Sequence, residues 1–257
     1  MNLEGPAVVT GAASGMGRRL AERWAARGIT VIAADVSPGP IKELEANGTV
    51  ARAVEVDVRD ADAVARAAGA IAEEFGPVRT LVNGAGIVRV GRFDSLEPAD
   101  FRAVMEVNYL GTVHWIHAVL PAMQAANRGT IVNFASLAGW MPTPITSAYT
   151  ASKFAVVGLT ETLAAELRRT DIRVTAVCPP AVDTPMLDSI RDHPHVPDRI
   201  TRLVPPITAD EVIDSIEQAL ERGRLFAFPG RGSTMLWRLR RFAPRLLRLG
   251  NRIVYGL

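Results

Sequence analysis

The stretch Ala7-Val8-Val9-Thr10-Gly11-Ala12-Ala13-Ser14-Gly15-Met16-Gly17 decides the fold. An apolar, strand-like run ends at Thr10, glycines follow at 11, 15 and 17, and a helix is expected to open on them. Glycines at this spacing let the backbone turn tightly and approach a pyrophosphate, whose charge the helix N-terminus favours. Three glycines can also make a plain strand-to-helix turn, so the next strand matters. That strand, Thr30-Val-Ile-Ala-Ala-Asp35, ends on an acid. Its carboxylate can accept hydrogen bonds from an adenosine ribose diol and would repel a phosphate on it. Turn, helix and acid together point to a dinucleotide site, with NAD favoured over NADP. Ser14 and Val36 place no cation beside that phosphate position, and Arg18 and Arg19 read as exposed helix residues. Asp57, at the end of a third strand, falls either near the adenine, with Val58, or at the cap of the next helix.

Working outward, short β-branched runs alternate with longer segments of helical period, the pattern of a parallel sheet covered on both faces. Strands are expected at 7–10, 30–34, 50–56, 80–82, 130–134, 173–178 and 225–228, giving an α/β, Rossmann-type, doubly wound sheet of seven strands. Asp60 is placed to cap a helix ending near Gly76, Pro98 to open one running towards Ala126, and Thr208 with Glu211 to form a capping box. Residues 186–206, which include four prolines, read as a mobile flap beside the site.

Composition narrows the function classes. With 257 residues, 48% of them hydrophobic, the chain can bury one sizeable core. The single cysteine, Cys178, excludes an internal disulfide framework and fits a reducing compartment, hence a cytoplasmic expectation. No cleavable leader and no run of eighteen apolar residues is apparent. The net charge of +2 hides an asymmetry: from Arg222 to Leu257 there are nine arginines and no acid, so the rest carries 20 basic against 27 acidic residues. An acidic body with a basic tail argues against nucleic acid as partner.

The chemistry is carried by Ser147-Ala-Tyr-Thr-Ala-Ser-Lys-Phe154, with Ser136 upstream. A phenol titrates near ~10 and a lysine near ~10.4, so each alone is a poor proton shuttle at neutral pH. Four residues apart on a helix, Tyr149 and Lys153 share a face, and the ammonium is expected to favour the phenolate. Tyr149 then becomes a usable acid or base. His114 and His117 lack the further ligands a metal site needs. Cys178 reads as a small buried apolar residue.

With these residues together, the chain resembles the short-chain dehydrogenase/reductase family over roughly residues 5 to 228. The T-G-x-x-x-G-x-G turn matches residues 10–17, Asn83-Gly84-Ala85-Gly86 is similar to the family's Asn-Ala-Gly element, and Asn108, Ser136, Tyr149 and Lys153 fall at the tetrad positions. The resemblance implies an oxidoreductase that interconverts a secondary alcohol and a ketone. Tyr149 would exchange the proton, Lys153 would lower its pKa and bind the nicotinamide ribose, Ser136 would orient substrate, and Asn108 would help hold a water. It implies cofactor contacts from Gly11, Ser14, Gly15, Met16, Gly17, Asp35, Asp57, Val58, Asn83, Ala85, Gly86, Tyr149, Lys153, Pro179, Val182 and Thr184. Two departures stand out. Gly84 replaces a common Asn, and Pro179-Pro180 stands where Pro-Gly is usual, deleting an N–H and stiffening a joint. The Pro-Pro-x-x-Asp-Thr-Pro segment is similar to that of 3-ketosphinganine reductase-like members, which act on long-chain lipids.

The pattern divides the chain into a catalytic domain, 1–230, and a basic amphipathic tail, 231–257. In the tail Met235, Leu239, Phe242, Leu246, Leu249 and Ile253 form one apolar stripe beside Arg238, Arg241, Arg245, Arg248 and Arg252, with Pro244 interrupting the helix. That face suits either an anionic membrane surface or a subunit contact in a homo-oligomer. Trp140 and Met141 read as either pocket wall or oligomer contact. A lipophilic small-molecule substrate is expected from apolar residues around the site. The rival reading is a catalytically inert, dinucleotide-binding protein docked on a membrane.

Overall fold

A computed structural model describes residues 5–191 and 205–243 except 231, together with residues 3, 193 and 245. Seven strands run in parallel: β1 (Ala7–Thr10), β2 (Val31–Asp35), β3 (Arg52–Glu55), β4 (Thr80–Asn83), β5 (Arg128–Phe134), β6 (Asp171–Val177) and β7 (Phe226–Ala227). Their order is β3-β2-β1-β4-β5-β6-β7. The chain winds one way from β1 to β3, then crosses back to β4 on the other side of β1. That reversal opens a crevice at the carboxyl ends of β1 and β4, where open α/β sheets bind ligands.

Alternation along each strand feeds two cores. On β1, Ala7 and Val9 join the cluster holding Leu20, Trp24, Ile213 and Ile216, whereas Val8 joins the one holding Val64, Trp115, Val119 and Leu163. The first cluster lies under α1 (Gly15–Ala25), α2 (Pro38–Ala46) and α8 (Ala209–Glu221). The second lies under α3 (Ala61–Phe75), α5 (Gly111–Ala125) and α6 (Ser147–Glu166). Among the described residues the other α-helices are α4 (Pro98–Met105), α7 (Pro185–Arg191) and α9 (Ser233–Phe242).

The capping expectations hold. Asp60 accepts from the Ala63 N–H at 2.9 Å, and Thr208 and Glu211 form a reciprocal capping box on α8. The helix expected from Pro98 towards Ala126 contains a widened π turn at Glu106–Leu110, which spacing did not foretell. Much of the predicted flap, including Pro194 and Pro197, lies outside the described residues, as do Pro244, Leu246, Arg248, Leu249, Arg252 and Ile253 of the tail.

Helices α1 and α8 are laced together. Arg19 donates to Asp210 at 2.9 and 3.1 Å, and Arg23 and Arg27 reach Glu217 at 3.0 and 2.8 Å. Glu217, only 8% exposed, also accepts from the Trp24 indole at 3.2 Å. Three donors satisfy that buried carboxylate, which would otherwise be costly. The lacing fixes the helix that the glycine turn begins.

Candidate functional site

The glycine turn is tight because backbone passes backbone. A Cβ on Gly17 would meet the Gly11 carbonyl oxygen at 2.2 Å, and one on Gly84 would meet the Thr10 carbonyl oxygen at 2.7 Å. Gly11 and Gly15 also hold positive φ, 70° and 55°, which side chains resist. The Thr10 hydroxyl ties the loop after β4 to the loop after β1, accepting from the N–H groups of Gly84 and Ala85 at 3.0 and 3.1 Å.

A cleft of about 580 Å³ follows from this crossing. Gly11, Ser14, Gly15, Met16, Gly17, Asp35, Asp57, Val58, Ala85, Gly86 and Thr184 of the expected set line it. Asp35 sits at its far end, its two oxygens steadied by the Ala13 N–H at 3.0 Å and the Ser37 N–H at 2.9 Å. Asp57 accepts from Arg59, whose guanidinium holds the carboxyl below the usual carboxylate range. It therefore caps no helix side chain-to-backbone; Asp60 does that. His114 fastens α5 to this corner, its Nδ1 2.8 Å from the Val58 carbonyl oxygen. Arg18 and Arg19 are engaged by Glu22 and Asp210 and do not line the cleft.

Five expected contacts do not line the cleft: Asn83, Tyr149, Lys153, Pro179 and Val182. Asn83 is buried inside the sheet, where its Nδ2 donates to Asn133 at 2.8 Å, so its side chain serves the scaffold. Val182 is buried and bridges to Ile207. The Pro179 carbonyl accepts from the Leu137 N–H at 2.9 Å, holding the Ser136 turn. Conversely, Arg59, Ile87, Arg89, Ala103 and Val107 line the cleft and were missed. Arg59 was legible from the turn its N–H makes on the Asp57 carboxylate; Ile87 and Arg89 follow Gly86 in the loop after β4, and Ala103 and Val107 are brought in by helix packing.

Two of the tetrad positions meet beside Gly86, where an added Cβ would lie 3.6 Å from the Lys153 Nζ and 3.3 Å from the Asn108 Oδ1. Lys153 is 4% exposed and donates to the Phe134 carbonyl at 2.7 Å. Burial brings its pKa down to about 8. Its Nζ stands 5.5 Å from the centre of the Tyr149 ring. The expected pull of this ammonium on the phenol is not what sets Tyr149 here. Burial pushes the phenol up, and a hydrogen bond with the Ser136 hydroxyl works against that rise.

Asn108, 1% exposed in the π turn, uses its whole amide as a fastener. Its Oδ1 accepts from the Ile87 N–H at 2.8 Å, and its Nδ2 donates to the Ile87 carbonyl at 3.0 Å and to Ser152 at 2.9 Å. Ser152 in turn donates to the Tyr149 carbonyl at 2.7 Å. With both amide hydrogens taken by protein partners, the Asn108 side chain ties the loop after β4 to the helix of Tyr149.

Ser136 caps a single 3₁₀ turn, Leu137–Gly139, its hydroxyl accepting from the Ala138 N–H at 3.1 Å. Cys178 lies buried behind it, as expected, with its thiol pushed up to about 12 by burial. Among the described residues no helix is long and apolar enough to cross a membrane.

Comparison with known proteins agrees with this arrangement. The profile of the family described as short chain dehydrogenase matches residues 6–195. The 2-(R)-hydroxypropyl-CoM dehydrogenase of Xanthobacter autotrophicus is 38% identical over 221 residues, covering 82% of this chain and 88% of that protein. A short chain dehydrogenase/reductase from Burkholderia phymatum, solved with NAD, superimposes with a TM-score of 0.83 at 31% identity, covering 96% of each chain. A short chain dehydrogenase from Burkholderia cenocepacia, solved with NADP, gives 0.83 at 30% identity, covering 98% of this chain and 99% of that one.

Proposed function

The chain belongs to the short-chain dehydrogenase family and is an oxidoreductase; from that premise we propose that it interconverts a secondary alcohol and a ketone with NAD, using Tyr149 as acid and base. One observation carries this reading: Lys153 lies beside Gly86 on the wall of the glycine-turn cleft, the Tyr149 ring centre stands 5.5 Å from its Nζ, and the Ser136 hydroxyl is bonded to that phenol.

The residues present fit a nicotinamide dinucleotide. The turn where backbone passes backbone leaves room at a helix N-terminus for a pyrophosphate. Asp35 offers a carboxylate for the ribose diol, and its neighbour Val36 brings no cation for a phosphate there. When bound, the cofactor supplies the hydride chemistry. The protein's own residues do the rest. Tyr149 gives or takes the proton at the substrate oxygen, at 2.6–3.2 Å in a productive pose by the usual reach of such a group. Ser136, already bonded to the phenol, holds that oxygen in line. Lys153 presents its amine to the nicotinamide ribose, and Asn108 keeps the helix of Tyr149 in register with the cleft.

A lipophilic substrate is supported by apolar Ile87 and Met186 on the cleft wall and by the likeness of the Pro-Pro-x-x-Asp-Thr-Pro segment to enzymes of long-chain lipids. The test is cofactor turnover with sec-butanol, cyclohexanol and menthol and with their ketones. Turnover rising with apolar size supports the reading; cofactor bound without turnover of any of them favours the inert alternative.

The outer face of α9 supports peripheral contact with an anionic lipid surface. Met235 and Phe242 are 66% and 78% exposed, beside exposed Arg238 and Arg241. Each arginine near such a surface contributes roughly 1 kcal/mol at low salt. The protein should sediment with anionic vesicles and release as salt rises, whereas Arg238→Glu with Arg241→Glu should not sediment. A change in solution mass in that variant, without vesicle binding by either form, would assign the face to a homo-oligomer contact.

A further inference from the structure

The inner face of α9 meets the Ser136 turn, although α9 lies beyond the 6–195 stretch matched by the family profile. Trp140 closes that turn, its N–H bonded to the Leu137 carbonyl at 2.9 Å. From one side the turn is pressed on α6: a Cβ on Gly139 would meet the Lys153 carbonyl oxygen at 2.7 Å. From the other side Trp140 is gripped by the tail. The Arg240 Nε donates to the Trp140 carbonyl at 3.2 Å, and the Trp237 ring stands edge-on to Trp140 with centres 6.0 Å apart. Trp237 also packs on Phe228 at 5.5 Å, and Phe226 meets Trp140 at 5.2 Å. The Trp140 indole donates to the Cys178 sulfur at 3.3 Å, so its ring orientation is fixed as well. At its start α9 is tied down by buried Ser233, whose hydroxyl donates to the Pro229 carbonyl.

We propose that α9 is a clamp on the catalytic turn, with Trp237 and Arg240 acting as positioning residues that hold Trp140 and thereby keep the Ser136 hydroxyl against Tyr149. A turn of three residues has little rigidity of its own. Its hydroxyl has to be held within a fraction of an ångström to orient a substrate oxygen. The grip of Arg240 on the carbonyl of Trp140 and of Trp237 on its ring supplies the side of the vice that α6 does not. The indole N–H of Trp237 is buried with no hydrogen-bond partner, so the ring acts by packing and its N–H is dispensable. Phenylalanine should therefore replace it.

The proposal rests on Ser136 orienting substrate, and the experiment separates the two claims. In the full chain, Trp237→Ala, Trp237→Phe, Arg240→Ala, Ser136→Ala and the double variant Ser136→Ala with Trp237→Ala are compared, using whichever of sec-butanol, cyclohexanol and menthol the wild type oxidises best. Cofactor affinity is read separately by NADH fluorescence. The clamp predicts a fall in kcat/KM of about tenfold for Trp237→Ala and about threefold for Arg240→Ala, sizes expected from loosened positioning. NADH affinity should stay within about twofold, Trp237→Phe should recover most of the loss, and the double variant should be no worse than Ser136→Ala alone. A damaging Ser136→Ala with an unaffected Trp237→Ala overturns the clamp, as does full additivity in the double variant. A harmless Ser136→Ala overturns the reading of Ser136 instead. Should Trp237→Ala fail to fold, Arg240→Ala decides: wild-type kcat/KM, or loss of NADH binding along with activity, contradicts a positioning role.

Discussion

The two ends of the active cleft are built by different means. At the glycine turn, every contact engages the main chain: Gly17 against the Gly11 carbonyl, the Ala13 and Ser37 N–H groups on the Asp35 carboxylate, the Gly84 and Ala85 N–H groups on the Thr10 hydroxyl. At the Ser136 turn, contacts are made by side chains arriving from far along the chain: Cys178 just after β6, Phe226 from β7, Trp237 and Arg240 from α9. The first region is specified by glycines and one acid, the second by volume and packing. Local backbone chemistry leaves a spaced motif in the sequence; packing over a hundred residues leaves no such mark.

If that contrast is right, the largest effect should come from a single methyl group in the glycine turn. Gly17→Ala forces a carbon to within 2.2 Å of the Gly11 carbonyl, and backbone cannot step aside cheaply. Overpacking of this kind costs about 1–3 kcal/mol, and here the cost falls on the cofactor cradle, so NAD affinity should drop by on the order of 100-fold in a binding titration. Wild-type affinity would remove the claim that close backbone approach builds this end.

A smaller change should follow from Asp35→Ala. Losing an ionised acceptor costs roughly 1.5–3 kcal/mol, so NAD affinity should fall about tenfold while the discrimination against NADP narrows, since a repulsive charge has gone. Unchanged relative affinity for the two cofactors would show that Asp35 does not choose between them.

Lys153 links the two regions and gives a pH signature. Unfolded, it keeps its proton up to about 10.4; folded, burial releases it at about 8. Between those values the unfolded chain binds more protons, so stability must rise with pH, and the cost of burying the charged lysine is felt in full below about 8. Relative to Lys153→Met, the wild type should gain roughly 1 kcal/mol per pH unit across that window in urea denaturation. A flat difference would mean that the amine is not desolvated.

The smallest effect belongs to Arg19→Ala. Arg19 is engaged by Asp210 on the surface, and such pairs contribute about 0–1 kcal/mol. The NAD to NADP preference should stay within about twofold by competition assay. A marked loss of NADP affinity would mean that this side chain swings into the cleft.

The same contrast explains what could be read from the residues alone. The seven strands and their parallel arrangement were legible because short apolar runs, mostly β-branched, alternate with segments of helical period. Asp60, Thr208 and Glu211 were legible because capping is local. The π turn at Asn108 was not, since the residues from Glu106 to Leu110 carry no sign that the helix widens there. Nor was the origin of the Tyr149 shift. Spacing puts Lys153 on its face, but the hydrogen bond to Phe134 and the contact with Ser136 depend on where β5 and its following turn arrive. In the tail, the stripe of Met235, Leu239 and Phe242 drew attention, yet Trp237 and Arg240, one face round, are the residues that reach Trp140.

The central claim is that Tyr149 moves the proton in a cleft whose cofactor binding does not depend on it. Tyr149→Phe keeps the ring and deletes only the hydroxyl, so turnover with the best alcohol and NAD affinity should be measured side by side. The account predicts kcat lower by on the order of 10² or more, the size of a lost general acid–base, with NAD affinity within about twofold of wild type. Turnover close to wild type would contradict it.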